Sequence, residues 1–296
     1  MRKSILSSLI LASLLLSYVS IALSDTPVGG TCTGIWDLAG SPYLVTQDCQ
    51  VPISQKLTIK PGVTVILGDN LSINVIGQLV AVGTASQHIT FRSPNESTTW
   101  NRIYFDSYGI DTGSPPSEFR YCDFSNAQTA LYMYVKGRIS EGTTVMKIEI
   151  SDCTFADSVL TAIYGGALGW ARQLQGDHYT AQLDPTIENC VFNGSVEGID
   201  FYITGSCSPD RCAPAYSNPV IRNCVFNGLT GTALKMREAS RNGGEPTFVN
   251  NTVIGCNQGV FVSTPFDAKI RNNIFSGNTV AVERTGRSPG RHPRPD

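Results

Sequence analysis

Three polar residues and five aromatic ones fall at equivalent places in successive short segments of this 296-residue chain. Asp200, Lys235 and Arg237 are the polar set, and Tyr132, Tyr134, Tyr164, Tyr202 and Phe261 the aromatic set. Aromatic faces beside a few charges suit sugar rings, whose C–H faces lie on the rings while hydroxyls take polar partners. A lyase would need a base for an activated proton and a group that neutralises a carboxylate. Lys235 or Arg237 fits the base, and Asp200 fits a site that holds a cation. Hydrolysis generally needs two carboxylates roughly 5–9.5 Å apart. Asp200 has Tyr164 and Lys235 as its expected stacked neighbours. The other acids in reach, Asp177, Asp210 and Glu238, lie in segments without a clear strand pattern. Outward tyrosines also stack well on a sheet with no ligand present.

The equivalence of those places comes from a repeat. NCVFNG occurs at 189–194 and again, unchanged, at 223–228. Related segments are FRYCDFSN, ISDCTFAD, FVNNTVIG and IRNNIFSG. Their fourth positions are Cys122, Cys153, Cys190, Cys224, Asn251 and Asn273, separated by 31, 37, 34, 27 and 22 residues. Such a period signals a solenoid. In IRNCVFNG, Cys224 and Phe226 share one face of a strand and Val225 the other. Ile221 also requires burial, so alternation breaks at Asn223 and the chain must turn there. Asn189, Asn250 and Asn272 share this corner, with Asp152 in the same place. Asn and Asp tolerate left-handed backbone angles, and stacked Asn side chains hydrogen-bond along a stack.

A second strand follows each corner segment. Its inward residues are Leu131, Ile163, Ile199, Leu234, Val260 and Val282, each preceded by Ala or Gly. This period of two is a strand signature, and a helical repeat would not show it. The column Cys122, Cys153, Cys190 and Cys224 reads as small stacked core thiols, with disulfides between neighbouring coils open on distance alone. Insertions of varying length follow the second strand, at about 135–147, 165–186, 203–219 and 238–247. They carry Trp170, Arg172, Asp177, His178, Tyr179, Arg211, Tyr216 and Arg241. Equal insertion points place loops side by side, here as one wall of a groove along the outward residues.

With these columns the chain resembles the right-handed parallel β-helix proteins of the pectin-lyase-like type. LTIKPGVTVILGDN with the following LSINVIGQLVAVGTASQHITFRSPN, and later WNRIYF, resemble the first coils of secreted bacterial and archaeal β-helix proteins. The resemblance covers about residues 32–283. It implies an all-β, single-stranded right-handed parallel β-helix (a solenoid), and a groove in which polysaccharide commonly lies. It is weak for function, because the family holds enzymes and non-enzymes. The family's paired aspartates and its Gly-His-Gly do not occur at matching positions.

Composition and the termini set the remaining bounds. Arg2 and Lys3, the apolar run ILSSLILASLLL and Ala22-Leu23-Ser24 read as a signal peptide over 1–24. The β-helix domain is expected over 25–284. The Arg/Pro-rich 285–296 reads either as a disordered extension or as the end of a truncated piece, the second being favoured. Cleavage leaves 20 basic against 24 acidic residues, a formal charge of −4. That is a poor balance for nucleic acid, and no later segment is apolar enough to cross a membrane. The expected location is secreted or at the cell surface, extracellular or periplasmic. Secretion permits disulfides, expected as Cys32–Cys49 and Cys207–Cys212. Three histidines and no CxxC pair give no expectation of a metal or cofactor. The favoured reading is therefore a non-catalytic polysaccharide-binding or cell-surface protein. A polysaccharide lyase or glycoside hydrolase in the same groove, and an adhesin-like repeat that binds protein, are the alternatives.

Overall fold

The computed structural model describes residues 25–107, 116–137, 142–171, 178–208, 211–238 and 243–285, with backbone alone at 171, 178, 206–208 and 211–212. Residues 1–24, expected as a signal peptide, the tail from 286, Arg172, Asp177, Asp210 and Arg241 lie outside the described residues. So do the side chains of His178, Cys207, Arg211 and Cys212.

The repeated hexapeptide shows how one coil is made. Asn189 and Asn223 both sit at φ 56°, and Gly194 and Gly228 are left-handed too, at φ 64° and 63°. NCVFNG is thus a three-residue strand between two left-handed corners. Asn serves at the first corner and Gly, which has no Cβ to clash, at the second. Tyr121, Asp152, Asn250 and Asn272 repeat the first corner; Asn126, Asp157, Gly255 and Gly277 repeat the second. The corner does not break the ladder, because its N–H still donates to the next coil, as Asp152 does to the Glu188 carbonyl at 3.1 Å and Asn189 to that of Arg222 at 3.1 Å. Outside, Asn189 Nδ2 donates to Asp152 Oδ1 at 3.2 Å and Asn223 Nδ2 to Asn189 Oδ1 at 3.3 Å.

Stacking these units gives parallel ladders from end to end. A back ladder of nine strands runs from Gly34–Trp36 to Lys269–Arg271. Short strands such as Val191–Asn193 and Val225–Asn227 form the second ladder, and long strands such as Thr129–Lys136, Thr161–Leu168, Glu197–Thr204 and Thr232–Glu238 the third. Inside, Phe91, Phe124, Phe155, Phe192 and Phe226 stack ring on ring, with centroids 4.9, 4.8, 5.0 and 4.6 Å apart and planes within 7°. That spacing is close to the strand repeat itself, so register alone produces the aromatic column. All five rings are buried.

The column of Cys and Asn has one physical role. Each member supplies a hydrogen-bond donor to a carbonyl beside the corner. Cys153, Cys190 and Cys224 thiols donate to the carbonyls of Ser151, Glu188 and Arg222 at 3.1, 3.2 and 3.3 Å. Asn251 does more: its Nδ2 donates to the Ile221 carbonyl and its Oδ1 accepts the Cys224 N–H. Cys122, Cys153, Cys190, Cys224 and the separate Cys256 are all buried free thiols. Burial pushes the Cys153 and Cys190 thiols well up, so they are packing groups rather than nucleophiles. Cys32 and Cys49 do form a disulfide, with Cα atoms 5.5 Å apart, tying the first coil to the next. Cys207 and Cys212 face each other in an antiparallel two-stranded hairpin.

Two expectations are corrected. The insertions do not simply line a groove as loops. Gly142–Met146, His178–Leu183 and Ala215–Ser217 pair in parallel as a further ladder. Thr144, Ala181 and Ala215 share one register position, and all are buried. Leu183 packs against Gly165, where an added Cβ would lie 2.5 Å from its Cδ2. The insertions therefore enlarge the coil. The second correction is Val282, expected inside. It is 45% exposed, with Ile274 at 62%, because no described strand covers the last coil.

Candidate functional site: the outward face of the long strands

Alternation along each long strand decides what faces out. Leu131, Met133 and Val135 are buried, so Tyr132, Tyr134 and Lys136 face outward. The parallel register then lines up one outward column: Asn74, Tyr104, Tyr132, Tyr164, Asp200, Lys235, Phe261 and Glu283. Two residues along lies a second: Asp106, Tyr134, Gly166, Tyr202 and Arg237.

The tyrosines at one end of this face touch. Tyr104 and Tyr132 have ring centroids 5.5 Å apart, and Tyr132 and Tyr164 4.6 Å. The Arg102 guanidinium lies 4.7 Å from the Tyr132 ring centre, a cation–π contact. Tyr134 leans over Gly166: a Cβ built there would be 3.0 Å from the Tyr134 ring. The missing side chain lets the ring lie down on the sheet. Lys136 sits 4.2 Å from the Trp170 ring, which is 43% exposed.

Charged groups occupy the middle. Arg237 is in register with Tyr202, yet its guanidinium reaches diagonally to Asp200, with Nε–Oδ1 at 2.9 Å and Nη2–Oδ2 at 2.7 Å. It also lies 5.2 Å from the Tyr202 ring centre. Asp200 faces outward but is only 6% exposed, being covered by these neighbours. Burial pushes its carboxyl up, and the Arg237 bonds pull it back without cancelling the effect. Burial lowers Arg237, but the bonds and charge of Asp200, together with Tyr164 and Tyr202, raise it on balance. The two-bond geometry favours the charged pair, while the covering of Asp200 opposes it. Lys235 Nζ bonds Glu197 Oε1 at 3.1 Å, while Glu197 Oε2 accepts the Thr232 N–H at 2.7 Å.

The expected site residues therefore fall into groups. Tyr132, Tyr134 and Tyr164 come together. Asp200, Arg237 and Tyr202 form a second cluster with Lys235 beside it. Phe261 follows Lys235 in the column, cut off from the tyrosines by Asp200 and Lys235. A guanidinium held protonated by a carboxylate is unsuited to act as a base, which speaks against that role for Arg237. Tyr104, Asp106 and Arg102 were not picked out from the sequence. Their coil lacks the Cys corner, and the signal was the alternation in R-I-Y-F-D matching that in A-L-Y-M-Y.

Burial, then the Asp106 charge, pushes the Tyr104 hydroxyl up to about 12. Burial, then Tyr132, does the same for Tyr164, also to about 12. An unfolded Tyr ionises near ~10. Between the two values the unfolded chain has lost protons that the folded one keeps, so this contribution is whole below ~10 and is lost as pH rises to about 12. A spectroscopic tyrosinate titration should show a late-ionising class. Replacing both residues by Phe should shrink it to the contribution of Tyr134, which burial also raises, and a late class of unchanged size in the double variant would contradict the assignment.

The family of right-handed β-helix regions matches residues 87–275, more than half of the chain. No curated protein and no solved structure matches. The matched span begins at the coil just before Phe91 and ends in the last described one, so it takes in every stacked Phe and both outward columns from Tyr104 to Phe261. This chain belongs to the right-handed β-helix family.

Proposed function

We propose that this β-helix binds polysaccharide on the outward face of its long strands without turning it over, as a secreted or cell-surface protein. The observation that carries the reading is the touching run Tyr104–Tyr132–Tyr164 on the outward face. Sugar rings offer flat C–H faces to such platforms, and phenol and carboxylate groups alongside accept and donate to hydroxyls. The Cys32–Cys49 disulfide supports an oxidising compartment. Pairing of both cations with carboxylates supports binding over catalysis, since neither Lys235 nor Arg237 is an unengaged base.

The test is a glycan array with the purified chain, followed by reducing-end and unsaturated-product assays on each hit. Binding without product is the expected result. Product formation that disappears in Lys235→Ala would replace this reading with the lyase. Retention of protein ligands only would leave the adhesin.

A further inference from the structure

We propose that the middle of the face, at Asp200, Lys235 and Arg237, selects an uncharged sugar over a uronic acid. This rests on the polysaccharide reading above and narrows it.

The reason is charge compensation. Recognition of a sugar carboxylate needs a cation with donors to spare, ideally an Arg fork. Among the described residues, four cations stand on or beside this face. The two in its middle are paired with carboxylates: Arg237 gives two donors to Asp200, and Lys235 bonds Glu197. Arg102, with its Nε donating to Asn101 Oδ1 at 2.9 Å, lies over Tyr132 and Lys136 over Trp170; these two keep donors for either kind of chain, so the selection is made in the middle. A uronate approaching Arg237 or Lys235 meets a protein carboxylate already there. It must displace that group or accept like-charge repulsion. The Asp200 side chain is 8% exposed, so displacing it also leaves a covered carboxylate without its partner, a strongly unfavourable change.

A neutral glycan meets none of this. Its apolar ring faces rest on the tyrosines, and its hydroxyls donate to carboxylates that stay in their pairs. The Tyr104 and Tyr164 hydroxyls, raised to about 12, remain protonated donors at neutral pH. The same carboxylates that repel a uronate thus serve the hydroxyls of an uncharged chain.

The experiment titrates the whole chain with neutral oligosaccharides (cello-, xylo- and manno-oligomers) and with oligogalacturonate and oligomannuronate, each at low and high salt. The expected result is a neutral hit whose Kd moves by less than about 2-fold with salt, because no exposed charge pair is screened. Uronates should bind at least about 10-fold more weakly. In Glu197→Gln the amide oxygen can still accept from Thr232, while Lys235 is released, so uronate binding should tighten by at least about 3-fold with the neutral hit unchanged. Tight uronate binding that falls steeply with salt would overturn the selectivity while leaving a glycan-binding face. Uronate affinity unchanged in Glu197→Gln would overturn the charge argument. Binding to neither class would overturn both this inference and the polysaccharide reading.

Discussion

Phe192→Ala should lower the unfolding free energy by about 3–5 kcal/mol, the range for removing a fully buried aromatic ring. Phe192 sits between Phe155 at 5.0 Å and Phe226 at 4.6 Å, with its plane tilted from theirs by 6° and 5°. Its exposure is 0%. Removal leaves a gap that neither neighbour can fill, because each is held to its own coil by the ladder. Both ring contacts, worth about 0.5–1.5 kcal/mol each beyond area, are also lost. In a solenoid the loss passes to adjacent coils through their shared interface. Phe192→Leu keeps most of the volume and should cost less than half as much. Denaturant titration followed by circular dichroism measures both. A loss below about 0.5 kcal/mol for the Ala variant, typical of surface substitutions, would mean the aromatic column is not a structural spine.

The second large effect is on binding. Tyr132 is the centre of the aromatic run, touching Tyr104, Tyr164 and the Arg102 guanidinium. Aromatic anchors of this kind cost about 2 kcal/mol or more on truncation, so Tyr132→Ala should weaken a glycan hit about 30-fold. Tyr132→Phe keeps the ring and should lose far less. Tyr202→Ala should weaken binding more modestly, since Tyr202 lies in the second column against Arg237. Tyr132 is outward and half-buried, so the fold should survive, and a circular dichroism spectrum equal to the parent's verifies it. Equal affinity of parent and Tyr132→Ala would move the binding surface elsewhere.

Much of this architecture is legible in the sequence because a solenoid repeats its constraints. The identical hexapeptides announce a corner at Asn189 and Asn223, and the inward Leu131, Ile163, Ile199 and Leu234 keep register from coil to coil. Once that register is known, the outward Tyr132, Tyr164, Asp200 and Lys235 must form one column, and they do. The second corner at Gly194 and Gly228 was hidden because Gly is common in turns of every kind. The further ladder through Thr144, Ala181 and Ala215 was hidden by insertions of unequal length, which break the period although each keeps local alternation. The diagonal bond from Arg237 to Asp200 was illegible for another reason. Register predicts which residues are neighbours, and it places Arg237 beside Tyr202. Which neighbour a long flexible side chain chooses depends on the burial of Asp200, which no pattern of letters states.

Tyrosine footprinting would show which face of the coil the ligand covers. The chain would be iodinated or nitrated with and without a saturating glycan hit, and each modified tyrosine read by mass spectrometry. Tyr132, Tyr164 and Tyr202 should be protected, with no change at Tyr121 on the corner or at Tyr216 on the ladder formed by the insertions. Protection of Tyr121 or Tyr216 with Tyr132 and Tyr164 unchanged would contradict this, and would place the ligand on a different face of the coil.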